Sequence, residues 1–420
     1  MRHRRVVVTG LGAVTPVGND VATTWRALLE GRSGAAPITK FDATHFAVRF
    51  ACEVKDFGAG TYMDRKEAKR ADLYTQYALA AAIQAMQDAG FADGLGPGSG
   101  YTPEETGVII GSGVGGLRTF EDQHAIYMAQ GPRRISPFFV PMFITDIAAG
   151  IVSMRFNCKG PNFATVSACA TSAHAIGEAF RTVQYGDADV MLAGGSEAAV
   201  TPMAIGGFAS MGALSTRNDS PETASRPFDA TRDGFVLGDG AGVVVLEELE
   251  HALARGARIY GEVAGYAATG DAYHLTGQPD AHEGLQRAMR RAMADAGVGP
   301  ADIDYINAHG TSTPLNDPNE ARAIHAVFGE HANQLAVSST KSATGHMLGA
   351  AGVVEFIVCA KAIETGLIPP TINHTTPDPE IALDVTPNTP RERVVNVALS
   401  NSSGFGGHNA TLALRRYRPG

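Results

Sequence analysis

The chain has 420 residues with 34 basic and 43 acidic side chains, a formal net charge of −9, so nothing in its overall charge draws it toward nucleic acid or an anionic membrane. It is long enough for one or two domains around a large core, and it holds no run of 18 apolar residues that would span a bilayer. Its four cysteines include no Cys-x-x-Cys pair, which leaves reduced thiols and no paired-cysteine zinc site.

The opening Met1-Arg2-His3-Arg4-Arg5 imitates the charged start of a signal peptide, but Gly10, Gly12 and Pro16 interrupt the apolar segment behind it. Residues 6–12 therefore read as a first strand, and a cytoplasmic protein is expected. Further strands are expected at 106–111 and, buried, at 163–168. After Cys169 a helix is marked by Ile176, Phe180 and Val183 at i, i+4, i+7, with Gly186 and Asp187 as its stop. Short glycine-bounded apolar runs continue at 190–194 and 242–246. A composition shift at 255–258 suggests a boundary that divides the chain into 1–256 and 257–420. Strands at 303–308, 335–338 and 394–400 follow, with a helix through Glu355 and Ile363 and a polar loop over 373–392. Alternating strands and helices predict an α/β protein whose sheets are covered by helices, and no internal repeat is visible.

Cys169 stands where the expected strand gives way to the expected helix. Orphan amide donors and the positive end of the helix dipole there favour a thiolate, although free cysteine is also an ordinary core residue. Cys52, Cys158 and Cys359 read as packing residues. Gly111-Ser112-Gly113-Val114-Gly115-Gly116 has the spacing of a dinucleotide-binding turn, but residues 131–139 lack the acidic ribose partner it needs. Two histidines follow expected strands: His309 among the small hydroxyl residues of 306–314, and His346 at the end of 338–346. Both belong to the carboxyl edge of a sheet, where open α/β folds build their sites. Beside a helix-capped cysteine they point to a nucleophile served by two imidazoles.

Ser167-Ala168-Cys169-Ala170, Ser225-Arg226-Pro227-Phe228-Asp229 with residues 233–242, Asn307-Ala308-His309-Gly310-Thr311-Ser312-Thr313, Thr340-Lys341-Ser342-Ala343-Thr344-Gly345-His346 and Gly404-Phe405-Gly406-Gly407-His408-Asn409 occur in one order. In these motifs the chain resembles the β-ketoacyl-acyl carrier protein synthases, most closely the elongating type 2 enzymes of the thiolase-like superfamily, from Arg5 to nearly its end. The resemblance implies a thiolase-like five-layer α-β-α-β-α fold of two similar halves, usually dimeric. The cysteine would lie in the first half and both histidines in the second.

The reaction so implied is a decarboxylative condensation. Cys169 takes an acyl chain from an acyl carrier protein, and His309 and His346 donate to the malonyl thioester carbonyl as carbon dioxide leaves. The amides of Cys169 and Phe405 hold the oxyanion, and Lys341 pairs with Glu355 near the site. Thr311, Thr313 and Thr276 would meet the phosphopantetheine arm, which arrives on the carrier protein, so no bound cofactor is expected. Val114 and Phe208 line the acyl pocket, Phe405 is its gate, and two histidines beside one cysteine separate the chain from thiolases. Ser403 stands where a second phenylalanine is usual, and Ser172 replaces a frequent glycine, its hydroxyl free to bond back to the helix or narrow the pocket. His174 is read as structural, since five residues along a helix turn a side chain away. Arg65, Lys66, Lys69 and Arg70 form a basic stripe for the acidic carrier protein, on which docking leans because Gly212 replaces an arginine of some relatives. No catalytic metal is expected, although Asn307, Glu355, Ser400 and Asn409 match a place that can hold a structural monovalent cation. A type 2 polyketide ketosynthase shares all of this chemistry. A non-catalytic chain-length-factor-like subunit lacks the cysteine.

Overall fold

The computed structural model describes residues 3–91 and 102–419. Met1 and Arg2, at the charged opening, lie outside the described residues. Ten strands run edge to edge: β1 (Val6–Val14), β2 (Thr106–Gly111), β3 (Asn162–Phe163), β4 (Val190–Glu197), β5 (Gly240–Glu248), β6 (Gly261–Gly270), β7 (Tyr305–Asn307), β8 (Ala336–Ser338), β9 (Val397–Gly404) and β10 (His408–Arg415). Their order is β8-β7-β9-β10-β6-β1-β5-β4-β2-β3.

This array is one five-stranded pattern used twice. β1, β5 and β4 pair antiparallel in turn, and β2 and β3 continue parallel to β4. β6, β10 and β9 pair antiparallel, and β7 and β8 continue parallel to β9. The two fives meet where Val6, Val7 and Val8 pair with Val263, Glu262 and Gly261. Helices enter at matching points: α1 (Leu73–Asp88), α2 (Ile147–Phe156) and α3 (Thr171–Tyr185) in the first half, α4 (Glu283–Ala296), α5 (Asn316–Phe328) and α6 (Ala351–Thr365) in the second. α1 and α2 cover the outer face of the first five strands, α4 and α5 lie outside the second, and α3 packs on α6 between them.

The five layers follow from where apolar side chains fall. Ile176, Phe180 and Val183 of α3 join Phe356, Ile357 and Ile363 of α6 in the central core. Separate cores lie under α1 and under α4 with α5. Strands buried on both faces carry apolar runs rather than alternation; β1 and β5 are buried along their whole length, with such runs at residues 6–8 and 243–246. Gly186, left-handed at φ 89, ends α3 where expected.

The expected buried strand 163–168 does not form. Only Asn162–Phe163 pairs, at the outer edge of the sheet, with Phe163 44% and Val166 57% exposed. Beyond it, Thr165 Oγ1 donates to the Thr171 carbonyl at 2.8 Å and the Ser167 amide donates to Thr171 Oγ1 at 2.9 Å. These local side-chain bonds draw the segment into a turn in place of a ladder. β6 and β10 are strands the sequence reading did not mark. The basic stripe sits on a helix of only four residues, Arg65–Ala68, with Lys69 as its C-cap.

Candidate active site

Cys169 lies in a tight turn, Ala168–Ala170, directly before α3. Ala168 takes φ 50, a left-handed conformation that crowds a Cβ, and this swings the chain from the sheet edge into the helix. The second half repeats the device. Leu348 at φ 45 opens the turn Leu348–Ala350 before α6, with Gly349 at the place of Cys169.

The Cys169 thiol is buried, with its own amide and that of Phe405 directed at the sulfur. Burial pushes it up to about 12, opposed by the charge of Lys341 and then by the Phe405 amide. The thiolate expected from the helix terminus is therefore not the resting form, because loss of solvent outweighs the nearby donors. Phe405 heads the hairpin between β9 and β10, which Gly406 and Gly407 turn at φ 89 and 76. A Cβ on Gly404 would lie 2.6 Å from the Ser167 carbonyl and 3.1 Å from the Cys169 amide nitrogen, so hairpin backbone rests on the nucleophile turn.

The histidines are held by their backbones. The amides of His309 and Gly310 each donate at 2.8 Å to the Glu320 carboxylate of α5, and Ala308 donates to the Ser338 carbonyl at 2.9 Å. His346 donates to the Val236 carbonyl at 2.7 Å and accepts from the Gly238 amide at 2.9 Å. The two rings stand 5.4 Å apart at 85°. Burial first, and then Lys341, hold both imidazoles well below the usual histidine range, so they are neutral in neutral solution. Lys341 Nζ faces His309 Nδ1 at 3.5 Å and forms a buried ion pair with Glu355. An amine of this kind only donates, which leaves the ring proton of His309 on Nε2. Burial pushes the Glu355 carboxyl up to about 7 against the pull of Lys341.

A cavity of about 440 Å³ gathers Cys169, His309, His346 and Phe405 with Val114, Phe208, Thr276, Thr311 and Thr313. Lys341 and Glu355 are not part of its wall. Glu355 pairs with Lys341 behind His309, and this holds it off the cavity, so it is not a substrate contact. Thr311 and Thr313 share a hydroxyl contact of 3.0 Å, and Thr276 is exposed at the mouth. Ser403 lines the cavity with its hydroxyl unpartnered. Ser172 neither bonds back to its own helix nor narrows the cavity; its Oγ accepts from the Val353 amide of α6 at 2.9 Å. His174 Nδ1 lies 2.6 Å from Ser167 Oγ, beside the nucleophile turn.

The sequence reading missed Glu320 and Glu197. Glu197 is buried and accepts from Ser112 Oγ at 2.8 Å and from the amides of Gly113, Val114 and Gly349 at 2.8, 3.2 and 3.0 Å. A Cβ on Gly113 would stand 2.7 Å from this carboxylate. The glycine run that imitates a dinucleotide turn thus wraps an acid of the protein itself. A lone glutamate closing an apolar strand beside glycines was the available signal.

Arg65, Lys66, Lys69 and Arg70 are all exposed, and none takes part in an ion pair among the described residues. Asp64 and Glu67 close a capping box within the same turn, and the Arg70 guanidinium lies 4.4 Å over the Phe138 ring. Asn307 Oδ1, Glu355 Oε2, Ser400 Oγ and Asn409 Oδ1 are buried without hydrogen-bond partners, and Asn307 pairs with Ser400 across β7 and β9. Such oxygens suit a hard monovalent cation. Among the described residues no helix is long and apolar enough to cross a membrane.

The chain matches the family model described as Beta-ketoacyl synthase, N-terminal domain, over residues 3–252, and the C-terminal domain of the same name over 260–375. It is 53% identical over 418 residues to the 3-oxoacyl-[acyl-carrier-protein] synthase 2 of Synechocystis sp., covering 100% of this chain and 99% of that protein. It is 53% identical over 416 residues to the protein of that name from Staphylococcus aureus strain N315, covering 99% of each. Among solved structures, a type II PKS acyl-carrier protein in complex with its ketosynthase bound to the hexaketide matches with a TM-score of 0.91 and 36% identity, over 99% of this chain and 100% of that one.

Proposed function

Because this chain belongs to the β-ketoacyl synthase family, we propose that it is a 3-oxoacyl-acyl carrier protein synthase, an acyltransferase that lengthens a fatty acyl chain by two carbons. The observation that carries this reading is one cavity in which a buried thiol, two neutral imidazoles and the hairpin amide of Phe405 converge.

In the first half-reaction the Cys169 sulfur attacks the carbonyl of an acyl thioester. The acyl–sulfur bond to the carrier breaks, and the departing carrier thiolate takes up the proton lost by Cys169. The amides of Cys169 and Phe405 receive the oxyanion that forms on the way. A malonyl thioester then enters and loses its carboxylate as carbon dioxide. His309, with its proton fixed on Nε2 by Lys341, and His346 donate to the thioester oxygen as the enolate develops. The enolate carbon attacks the acyl-Cys169 carbonyl, the carbon–sulfur bond breaks, and a 3-oxoacyl thioester leaves as the Cys169 thiolate takes up a proton from solvent, the one proton the whole reaction consumes. Neutral imidazoles serve as donors here without burying further charge beside Lys341. Asn307, Glu355 and Ser400 would hold a monovalent cation as a fixed charge between β7 and β9, and no step runs through it.

The acyl carrier protein is the partner, and its phosphopantetheine arm enters past Thr276, Thr311 and Thr313. Arg65, Lys66, Lys69 and Arg70 recruit it. A second copy of this chain covers the exposed apolar face around β3, giving a cytoplasmic homodimer. A polyketide ketosynthase would run the same steps, but 53% identity to fatty acid enzymes against 36% to the polyketide complex favours the first reading.

Intact-mass measurement with an acyl-carrier protein tests the assignment. The wild type gains one acyl group and Cys169→Ala gains none. His309→Ala and His346→Ala still acylate but release no carbon dioxide from malonyl thioester. An acylated Cys169→Ala, or normal carbon dioxide release by both histidine variants, would end the proposal.

A further inference from the structure

His282 is used neither by the motifs nor by the steps above. It ends the segment 271–282 that leads from β6 into α4, with φ 44, and Ala281 before it is also left-handed at φ 50. Residues with a Cβ adopt this conformation at a cost, and here it sets the imidazole, fully out of solvent, into the wall of the cavity that holds Cys169.

Neither ring nitrogen of His282 has a hydrogen-bond partner. The nearest charge is Asp271, whose Oδ2 lies 3.6 Å from His282 Nε2. Asp271 is itself fixed, because its Oδ1 accepts from Asn409 Nδ2 at 2.6 Å and its amide donates to the Gly407 carbonyl at 2.9 Å. The carboxylate is thereby anchored to the hairpin that carries Phe405. A ring nitrogen facing a carboxylate carries the proton, which leaves His282 Nδ1 as an acceptor.

Gln278 lines the same cavity four residues earlier. Its Nε2 is committed to Asn316 Oδ1 at 2.9 Å, and its Oε1 is buried without a partner. Two buried acceptors therefore stand unpaired in one segment of the wall, next to exposed Thr276 at the mouth. A buried acceptor left unpaired is unfavourable, and a ligand bearing N–H donors removes the deficit.

We infer that His282 Nδ1 and Gln278 Oε1 receive the amide N–H groups of the arm that brings the acyl thioester into the cavity, so that this wall selects a thiol bearing secondary amides over a plain one. The inference rests on the reading of Cys169 as acyl acceptor. Because both acceptors belong to one short segment, they form a specificity element separate from the hydroxyls of Thr311 and Thr313.

The test measures the rate of Cys169 acylation by two thioesters of one acyl chain, hexanoyl-pantetheine, which carries two amides, and hexanoyl-butanethiol, which carries none. His282→Gly removes the ring and relieves the left-handed backbone, so folding is not placed at risk. The expected result is that the ratio of the two rates, in favour of pantetheine for the wild type, falls about tenfold in His282→Gly, the scale of a lost hydrogen bond in a site built for it. His282→Asn, which keeps an acceptor and tolerates the left-handed conformation, retains most of the ratio. An unchanged ratio in His282→Gly overturns the inference. A wild type acylated by neither thioester overturns the reading of Cys169 beneath it.

Discussion

With the Cys169 thiol pushed up to about 12 by burial, the free enzyme in neutral solution holds a thiol. Its thiolate fraction then rises with every increment of pH below that value. Alkylation by iodoacetamide, which reports the thiolate, is expected to accelerate about tenfold per pH unit from neutrality to about pH 10. A plateau near pH 7 would mean that the helix terminus dominates after all. Lys341 offers a second residue-level test, since it opposes this upward shift and also fixes the His309 tautomer. Lys341→Met removes the donor at His309 Nδ1 and frees that ring to place its proton on either nitrogen. Carbon dioxide release is expected to fall by about tenfold or more, the range of a misplaced proton donor, while the acyl-enzyme mass still appears. Equal loss of both half-reactions would count against a role through His309.

At the scale of elements, the two central helices are tied by one hydroxyl. Ser172 of α3 accepts from the Val353 amide, a first-turn donor of α6 that its own helix cannot satisfy. Ser172→Ala should lower stability in urea by about 1 kcal/mol, as loss of a helix cap does, and an unchanged midpoint would remove that role. The elements that sequence made legible were those with one clear pattern: β1 and β2 as bounded apolar runs, and α3 by the spacing of Ile176, Phe180 and Val183. Cys169 was legible because it stands just before the clear pattern of α3, and His309 and His346 because each follows an apolar strand run beside a glycine, Gly310 and Gly345. The nucleophile segment was misread because Thr165, Ser167 and Thr171 bond locally, a contest that apolar periodicity does not register. β6 and β10 went unmarked: β6 begins and ends on glycine with another at Gly265. Glu197 and Glu320 were hidden for another reason, since most of their partners are backbone amides, of Gly113, Val114 and Gly349 for the first and of His309 and Gly310 for the second, and an amide carries no residue signature. The twofold plan came through the family resemblance and not as an internal repeat, because the halves share strand order and the turn before the central helix, while Cys169 in one corresponds to Gly349 in the other.

The whole molecule combines a net charge of −9 with the small exposed basic turn at Arg65, Lys66, Lys69 and Arg70. Long-range repulsion from an acidic carrier protein must be overcome locally, so Lys69→Glu with Arg70→Glu is expected to weaken carrier binding in calorimetry, with the difference shrinking as salt rises. Equal affinity at low salt would dismiss this docking site. Arg70 also lies over Phe138, at the border of an apolar face that includes Tyr127, Met128, Val140, Phe163 and Val166, with Met128 70% exposed. A face of this kind, next to a sheet whose last strand has an open edge, suits association with a second copy. Val166 sits three residues before Cys169, in the turn that the sheet itself does not hold. Covering it would therefore brace the nucleophile as well as bury apolar surface. Sedimentation of the wild type is expected to give twice the chain mass, and Val166→Lys to give a monomer with the same circular dichroism but slower acylation of Cys169. A wild-type monomer that acylates at full rate would show that the turn needs no second copy.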